Sequence, residues 1–263
     1  MKWTFNTIQR IVILFHLIVI AAGFAPSARI SAGLFHCGVL TWIWYPCLGL
    51  TSTLLYILVC QGPGYAEDYE PMPENDPQYY FCPKCQRSVP LRCVHCNTCN
   101  RCCLRKDHHC PWMGICVGMD NHLFFILFLI VVICFGFGAI FMIQTGMQDN
   151  ISFDRWLYTS LPLSILYYSI IIALIQPFIL VPVHIFLACI DMTTREFIKR
   201  NQISYLKKWS FFPSPFSEGL FKNLKKFIKM RWTHPLYDYN IPKTDEEIAV
   251  WKSDNKFLLF CSC

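Results

Sequence analysis

The side chains with chemical potential are concentrated in residues 82–122, which read CPKCQRSVPLRCVHCNTCNRCCLRKDHHCPWMGICVGMDNH. Close-set cysteine pairs stand at Cys82 and Cys85, Cys96 and Cys99, and Cys99 and Cys102, with His95, His108, His109, Cys110 and Cys116 between and after them. Two residues between cysteines let one tight turn present both thiolates to a tetrahedral Zn²⁺, and such a site gives folding energy to a segment with little apolar core. Zinc is therefore expected to hold this segment together. Residues 82–116 carry twelve Cys and His, whereas two four-coordinate zinc ions take about eight. Something is left over. Cys93, Cys103, His108 and Cys110 are the residues at issue, and spacing alone leaves open which four are spare.

The segment resembles the cysteine-rich domain of the DHHC zinc-finger protein S-acyltransferases, the palmitoyltransferases. The family's ordered pattern is met at every position by Cys82, Cys85, His95, Cys96, Cys99, Cys102, Asp107, His108, His109, Cys110, Cys116, Asn121 and Phe125. The resemblance implies two interleaved structural zinc sites, one on Cys82, Cys85, His95 and Cys102, the other on Cys96, Cys99, His109 and Cys116. His108 and Cys110 then stay free. It also implies an acyl-CoA co-substrate, palmitoyl-CoA among them, and membrane-associated protein substrates with cytosolic cysteines. Pro111 and Trp112 resemble the stretch that meets the start of the acyl chain.

A thiol becomes a good nucleophile as thiolate, and an imidazole that takes its proton, itself oriented by a carboxylate, is the general arrangement. Asp107, His108 and Cys110 supply those three groups. The expected reaction is ping-pong: Cys110 accepts the acyl group from the CoA thioester and a substrate cysteine then removes it. One thioester replaces another, so no ATP is needed. Cys93 and Cys103 fall outside the pattern and read as inert thiols, although Cys103 is also an alternative ligand beside Cys102. Arg87, Arg92, Arg101, Arg105 and Lys106 suit either CoA phosphates or anionic lipid beside a basic loop, and no single one stands out.

The elements that must position this segment are apolar. The chain is 54% hydrophobic and only 15% charged, too apolar for an ordinary soluble domain. Uncharged blocks at residues 11–28, 34–60, 124–143 and 161–187 are each long enough to cross a hydrocarbon core of about 30 Å as helix. The expected fold is an all-α polytopic membrane protein: four transmembrane helices with a small zinc-stabilised cytosolic domain between the second and third. Its parts are residues 1–60, 61–122, 123–189 and 190–263. Twenty-one of the 23 Lys and Arg residues fall in the termini and the middle loop, which places these in the cytosol by the positive-inside rule. That bias also accounts for the net charge of +6 without nucleic acid. The first block has a signal-peptide alternative, with Lys2 and Arg10 ahead of an apolar run ending in small residues. Nine of the sixteen cysteines lie in the loop on the reducing side, which favours metal or catalysis over a disulfide scaffold. The family's endomembranes, Golgi or ER, are the expected residence.

After the fourth block comes Asp191-Met-Thr-Thr-Arg-Glu196. Thr193, Thr194 and Glu196 resemble the family's Thr-Thr-x-Glu motif, which buttresses the active site; they also spell a helix capping box that would fix Thr194 near Asp107. Leu220, Phe221, Leu224, Phe227 and Ile228, with lysines between them, give a basic amphipathic helix suited to a membrane surface. Within it Gly219, Asn223 and Phe227 resemble the family's C-terminal segment, where the Asn is structural. Gly62-Pro63-Gly64 stands where the family has Asp-Pro-Gly, and the ending Cys261-Ser262-Cys263 resembles a lipidation site without being a CaaX box. A RING-type ligase is disfavoured because the loop ends in Asp-His-His-Cys and a lone Cys116 rather than a second CxxC. An idle zinc scaffold stays open until Cys110 is tested. Among ionisable groups the spans hold only His16, His36 and His184, too few for a transport pathway.

Overall fold

The computed structural model describes residues 7, 9–14, 39–69, 79–146, 152–206 and 214–233. Three helices carry apolar blocks: α1 (Val39–Cys60), α2 (His122–Gly146) and, after the short α3 (Phe153–Thr159), α4 (Leu161–Cys189). Each is long and apolar enough to cross a membrane. The expected first span, 11–28, lies almost wholly outside the described residues, as do most of the linker beyond Tyr69 and the Cys261-Ser262-Cys263 ending; three candidate spans are therefore seen among the described residues.

These helices have the features a membrane span requires. Thr51 and Thr53 donate their hydroxyls back to the carbonyls of Cys47 and Gly49 one turn earlier, so these two hydroxyls are satisfied within the helix. α4 turns Ile172, Ile175, Phe178 and Ile179 outward, all more than half exposed, an apolar surface that water would not support at this extent. α4 runs unbroken through Pro177 and Pro182.

The chain falls into two compact units, Met1–Cys60 with Phe124–Pro182, and Gln61–Leu123 with Val183–Cys263. In the first, Tyr45 stacks on Phe135 at 4.8 Å and joins a core with Ala139 and Met142. Small residues allow the close approach typical of membrane helices: a Cβ on Gly138 would lie 2.4 Å from the Trp44 ring, and one on Gly136 would meet Leu174 at 2.7 Å.

The second unit departs from the all-helical expectation. Residues 79–117 form three antiparallel hairpins: β1 (Tyr79–Cys82) with β2 (Arg87–Pro90), β3 (Val94–Cys96) with β4 (Arg101–Cys103), and β5 (His108–Cys110) with β6 (Ile115–Val117). Strands of three or four residues bury too little apolar surface to form alone. Six of the eight expected ligands lie on these strands, one of the other two in each of the first two turns, so the ligands take the place of an apolar face. The turns use left-handed backbone at Gln86, Asn100 and Gly114. After α4 the chain forms α5 (Thr194–Ile198) and, farther on, α6 (Leu220–Thr233). Leu187, Met192, Ile203, Leu206 and Phe216 make an apolar core in this unit, each worth roughly 1.5–3 kcal/mol when fully buried.

Candidate active site and metal centres

Both expected ligand sets are gathered. Cys82, Cys85, His95 and Cys102 form one cluster and Cys96, Cys99, His109 and Cys116 another. In the first, His95 Nδ1 lies 3.2 Å from Cys85 Sγ and 3.9 Å from Cys102 Sγ. In the second, His109 Nδ1 lies 3.3 Å from Cys99, 3.7 Å from Cys116 and 3.8 Å from Cys96. Ligands around a tetrahedral Zn²⁺ stand roughly 3.6 Å apart for S and N and 3.8 Å for S and S; Cys99 and Cys116 are 3.7 Å apart. Three thiolates and one imidazole also form the donor set that selects zinc over harder cations. Cys93 and Cys103 are buried and belong to neither cluster.

The strand β5 explains why the adjacent histidines have different partners. Side chains alternate along a strand, so His109 faces the second metal cluster while His108 and Cys110 share the other face. His108 Nδ1–H donates to Asp107 Oδ2 at 2.7 Å, and the same imidazole is hydrogen-bonded to Cys110. Asp107 is fully buried, its Oδ1 accepts the Thr194 backbone N–H at 2.7 Å, and its own N–H donates to the Val117 carbonyl. Burial opposes its ionisation, but the neighbouring imidazoles and the His108 hydrogen bond hold it well below the usual carboxylate range. Burial would lower His108, yet the hydrogen bonds and charges of Asp107 and Cys110 push it up to about 9. Cys110 itself is buried, whereas Pro111 and Trp112 beside it are exposed, Trp112 to 68%.

The tail supplies the frame. Thr193 Oγ1 accepts the Glu196 N–H at 3.1 Å and Glu196 Oε2 accepts the Thr193 N–H at 2.9 Å, a reciprocal capping box that opens α5 and aims the Thr194 N–H at Asp107. Glu196 is itself buried, gripped by Arg92 through Nε to Oε1 and Nη2 to Oε2, both at 2.7 Å. Asp191, in left-handed backbone at φ +48, pairs through Oδ1 with Arg92 at 3.0 Å and Arg105 at 2.8 Å, and through Oδ2 with Lys226 of α6 at 2.9 Å. Burial opposes ionisation of Asp191 as well, and these three cations overcome it. Arg92 and Arg105, which suited lipid or phosphate in the sequence, are thus inward-facing structural partners. Asn223 donates to the carbonyl of Cys189 at 2.7 Å and to Ser217 Oγ at 2.8 Å, and accepts the Glu218 N–H at 2.8 Å. Asn121 bridges Gly118 N–H and the Cys116 carbonyl, closing the loop after the last ligand.

Sequence reasoning missed the role of Arg92, Arg105 and Asp191, and missed His122 and His184, whose Nε2 and Nδ1 lie 3.0 Å apart near Asp107. A charged residue just after an uncharged span, Asp191, was the available signal.

Residues 75–201 match the family model described as DHHC palmitoyltransferase. Among curated proteins, a Dictyostelium discoideum protein named as a ZDHHC-type palmitoyltransferase 7 is 39% identical over 155 residues, 57% of this chain and 35% of that protein. Palmitoyltransferase ZDHHC12 of Mus musculus is 32% identical over 200 residues, 69% of this chain and 72% of the mouse protein. Palmitoyltransferase pfa3 of Emericella nidulans is 37% identical over 136 residues, 49% of this chain and 26% of that protein. The chain thus spans about a third or less of the Dictyostelium and Emericella proteins.

Proposed function

The chain belongs to the DHHC palmitoyltransferase family, and from that premise we propose that it is a protein S-acyltransferase, moving a long-chain acyl group from acyl-CoA to cysteines of membrane-associated proteins. Palmitoyl-CoA is the donor that the relatives' names favour. The observation that carries the reading is the run Asp107, His108, Cys110, in which a buried carboxylate orients an imidazole hydrogen-bonded to a thiol.

His108 takes the proton of Cys110 Sγ, and the thiolate attacks the carbonyl carbon of the CoA thioester. The C–S bond to CoA breaks, the CoA thiolate recovers the proton from His108, and Cys110 holds the acyl group as a thioester. A substrate cysteine then gives its proton to His108 and attacks that carbonyl, and the Cys110 thiolate leaves and is reprotonated. Asp107 stays ionised throughout, keeping the His108 proton on Nδ1 and the other ring nitrogen available. Zinc bound at the two clusters contributes folding free energy and fixes β5. In this reading Trp112 and Pro111 meet the acyl chain where it leaves the thioester, which their exposure next to Cys110 supports. The membrane context supplies the rest: both termini and the middle loop on the cytosolic side, a fourth span within residues 11–28, and an endomembrane residence.

The test is incubation of the full-length protein with labelled palmitoyl-CoA, followed by neutral hydroxylamine. Hydroxylamine-labile label on the wild type, absent from Cys110→Ser and His108→Ala, is the expected result. A folded, zinc-loaded wild type that takes no label overturns the reading and leaves a zinc scaffold.

A further inference from the structure

Two more imidazoles lie beside the Asp107–His108 couple, and the proposed reaction does not use them. His122 opens α2 and His184 sits near the end of α4, both buried. Their rings meet edge to face with centroids 5.1 Å apart, and His122 Nε2 is 3.0 Å from His184 Nδ1. His184 Nδ1 is in turn 4.0 Å from Asp107 Oδ2, the oxygen that accepts from His108. His122 Nδ1 is buried and has no hydrogen-bond partner among the described residues.

We propose that His184, held by His122, is a positioning residue for the Asp107–His108 couple, turning an N–H toward Asp107 Oδ2. The proposal rests on the reading of Cys110 as the nucleophile. Two arrangements of protons satisfy the His122–His184 contact. If His122 Nε2–H donates, the lone pair of His184 Nδ1 faces a carboxylate in surroundings with little water, which is repulsive. If His184 Nδ1–H donates to His122 Nε2 at 3.0 Å, its positive end lies near Asp107 Oδ2 at 4.0 Å instead of a lone pair, and the contact with the carboxylate becomes attractive.

The second arrangement puts the proton of His122 on Nδ1, the atom without a partner. A buried N–H without an acceptor costs free energy, and the attraction between the His184 donor and Asp107 is what offsets it. The carboxylate then has Oδ1 fixed by the Thr194 N–H, and Oδ2 fixed by His108 with His184 nearby. Its plane is set, and with it the direction in which His108 faces Cys110.

The same three residues have donor atoms within 4.8 Å of one another, as a metal site would. Both oxygens of Asp107 are already engaged at 2.7 Å by His108 and Thr194, so the hydrogen-bonded arrangement accounts for more of the geometry.

The test measures alkylation of Cys110 by iodoacetamide in the full-length protein, followed on the Cys110 peptide by mass spectrometry, with zinc per chain and autoacylation by palmitoyl-CoA recorded alongside. Leu fills much of the His184 volume without a donor, whereas Asn carries an N–H close to the place of Nδ1. With two zinc ions retained, His184→Leu is expected to slow alkylation about tenfold or more, and His184→Asn to restore it to within about threefold of wild type. Wild-type rates in His184→Leu, equal losses in the Leu and Asn variants, or a third zinc present in wild type and missing from both variants each overturn the proposal. Should His184→Leu lose zinc, His184→Asn is compared with His184→Gln, whose longer side chain misses the Nδ1 place; equal rates overturn it. Alkylation needs no acyl-CoA, so a wild type that alkylates but takes no acyl group counts against the acyltransferase reading alone.

Discussion

Arg92 and Glu196 meet in a two-pronged ion pair, both contacts 2.7 Å, across 104 residues of sequence. Both side chains are 2% exposed, so removing one takes a partner from a buried charge, a loss of up to about 3–5 kcal/mol, smaller for loss of Glu196 because Arg92 keeps Asp191 at 3.0 Å. Arg92→Met and Glu196→Gln are each expected to lower the thermal midpoint sharply and to reduce zinc retention. Arg92→Lys fares little better, because an ammonium cannot reproduce the fork. Thermal denaturation with zinc counting checks this.

Asp107→Asn tests the couple without emptying the site. Both oxygens of Asp107 accept N–H donors, so an amide must turn its NH₂ against one of them whichever way it flips. Acyl-enzyme formation is expected to fall about 10²–10⁴-fold, with both zinc ions kept. Unchanged labelling from palmitoyl-CoA would show that Asp107 is only a turn residue.

Metal removal separates ligands from bystanders. Cys82→Ser is expected to lose about one zinc per chain, whereas Cys93→Ser, outside both clusters, keeps the full count. A chelator strong enough to strip both ions should melt the hairpins, read as rapid proteolysis between residues 79 and 117.

Much of this site was legible because zinc ligation is a local constraint. Two thiolates on one turn need a fixed spacing, and a chain that keeps those intervals announces the metal. The Asp107, His108, Cys110 run is equally local, carried on β5 and the residue just before it. What spacing could not disclose are the long-range closures. Arg92 and Arg105 look like any basic loop until Asp191 and Glu196, some hundred residues later, bury them. His184 sits alone in an apolar helix and gains meaning only from His122 and Asp107. The hairpins were missed because ligands stand in for the alternating apolar face that marks a strand.

Asn223→Ala should act on folding rather than chemistry. It removes the side-chain partners of the Cys189 carbonyl and the Glu218 N–H, both part-buried, at about 1–3 kcal/mol in all. The yield of folded protein is expected to drop, while Cys110 reactivity per zinc-loaded molecule holds. A reactivity loss in folded protein would give Asn223 a part in the site instead.

Gly118→Ala probes the loop behind the last ligand. A Cβ there would lie 2.6 Å from Cys103 Sγ and within 2.9 Å of two backbone carbonyls, Leu104 and Pro63. Backbone cannot move aside cheaply, so a loss of about 1–3 kcal/mol is expected, read in the thermal midpoint.

The bond from the Thr194 amide to Asp107 spans 87 residues and thereby sets a timetable for biosynthesis. The ribosome delivers Cys110 and His108 long before it delivers residue 194, and α2 and α4 are made in the interval. Until then Asp107 Oδ1 has no amide to accept, and neither Arg92 nor Arg105 has its counter-ion. A polypeptide stalled inside α4 is left with an unfinished acid–base couple, so maturation of the thiol waits on synthesis of the segment that follows α4.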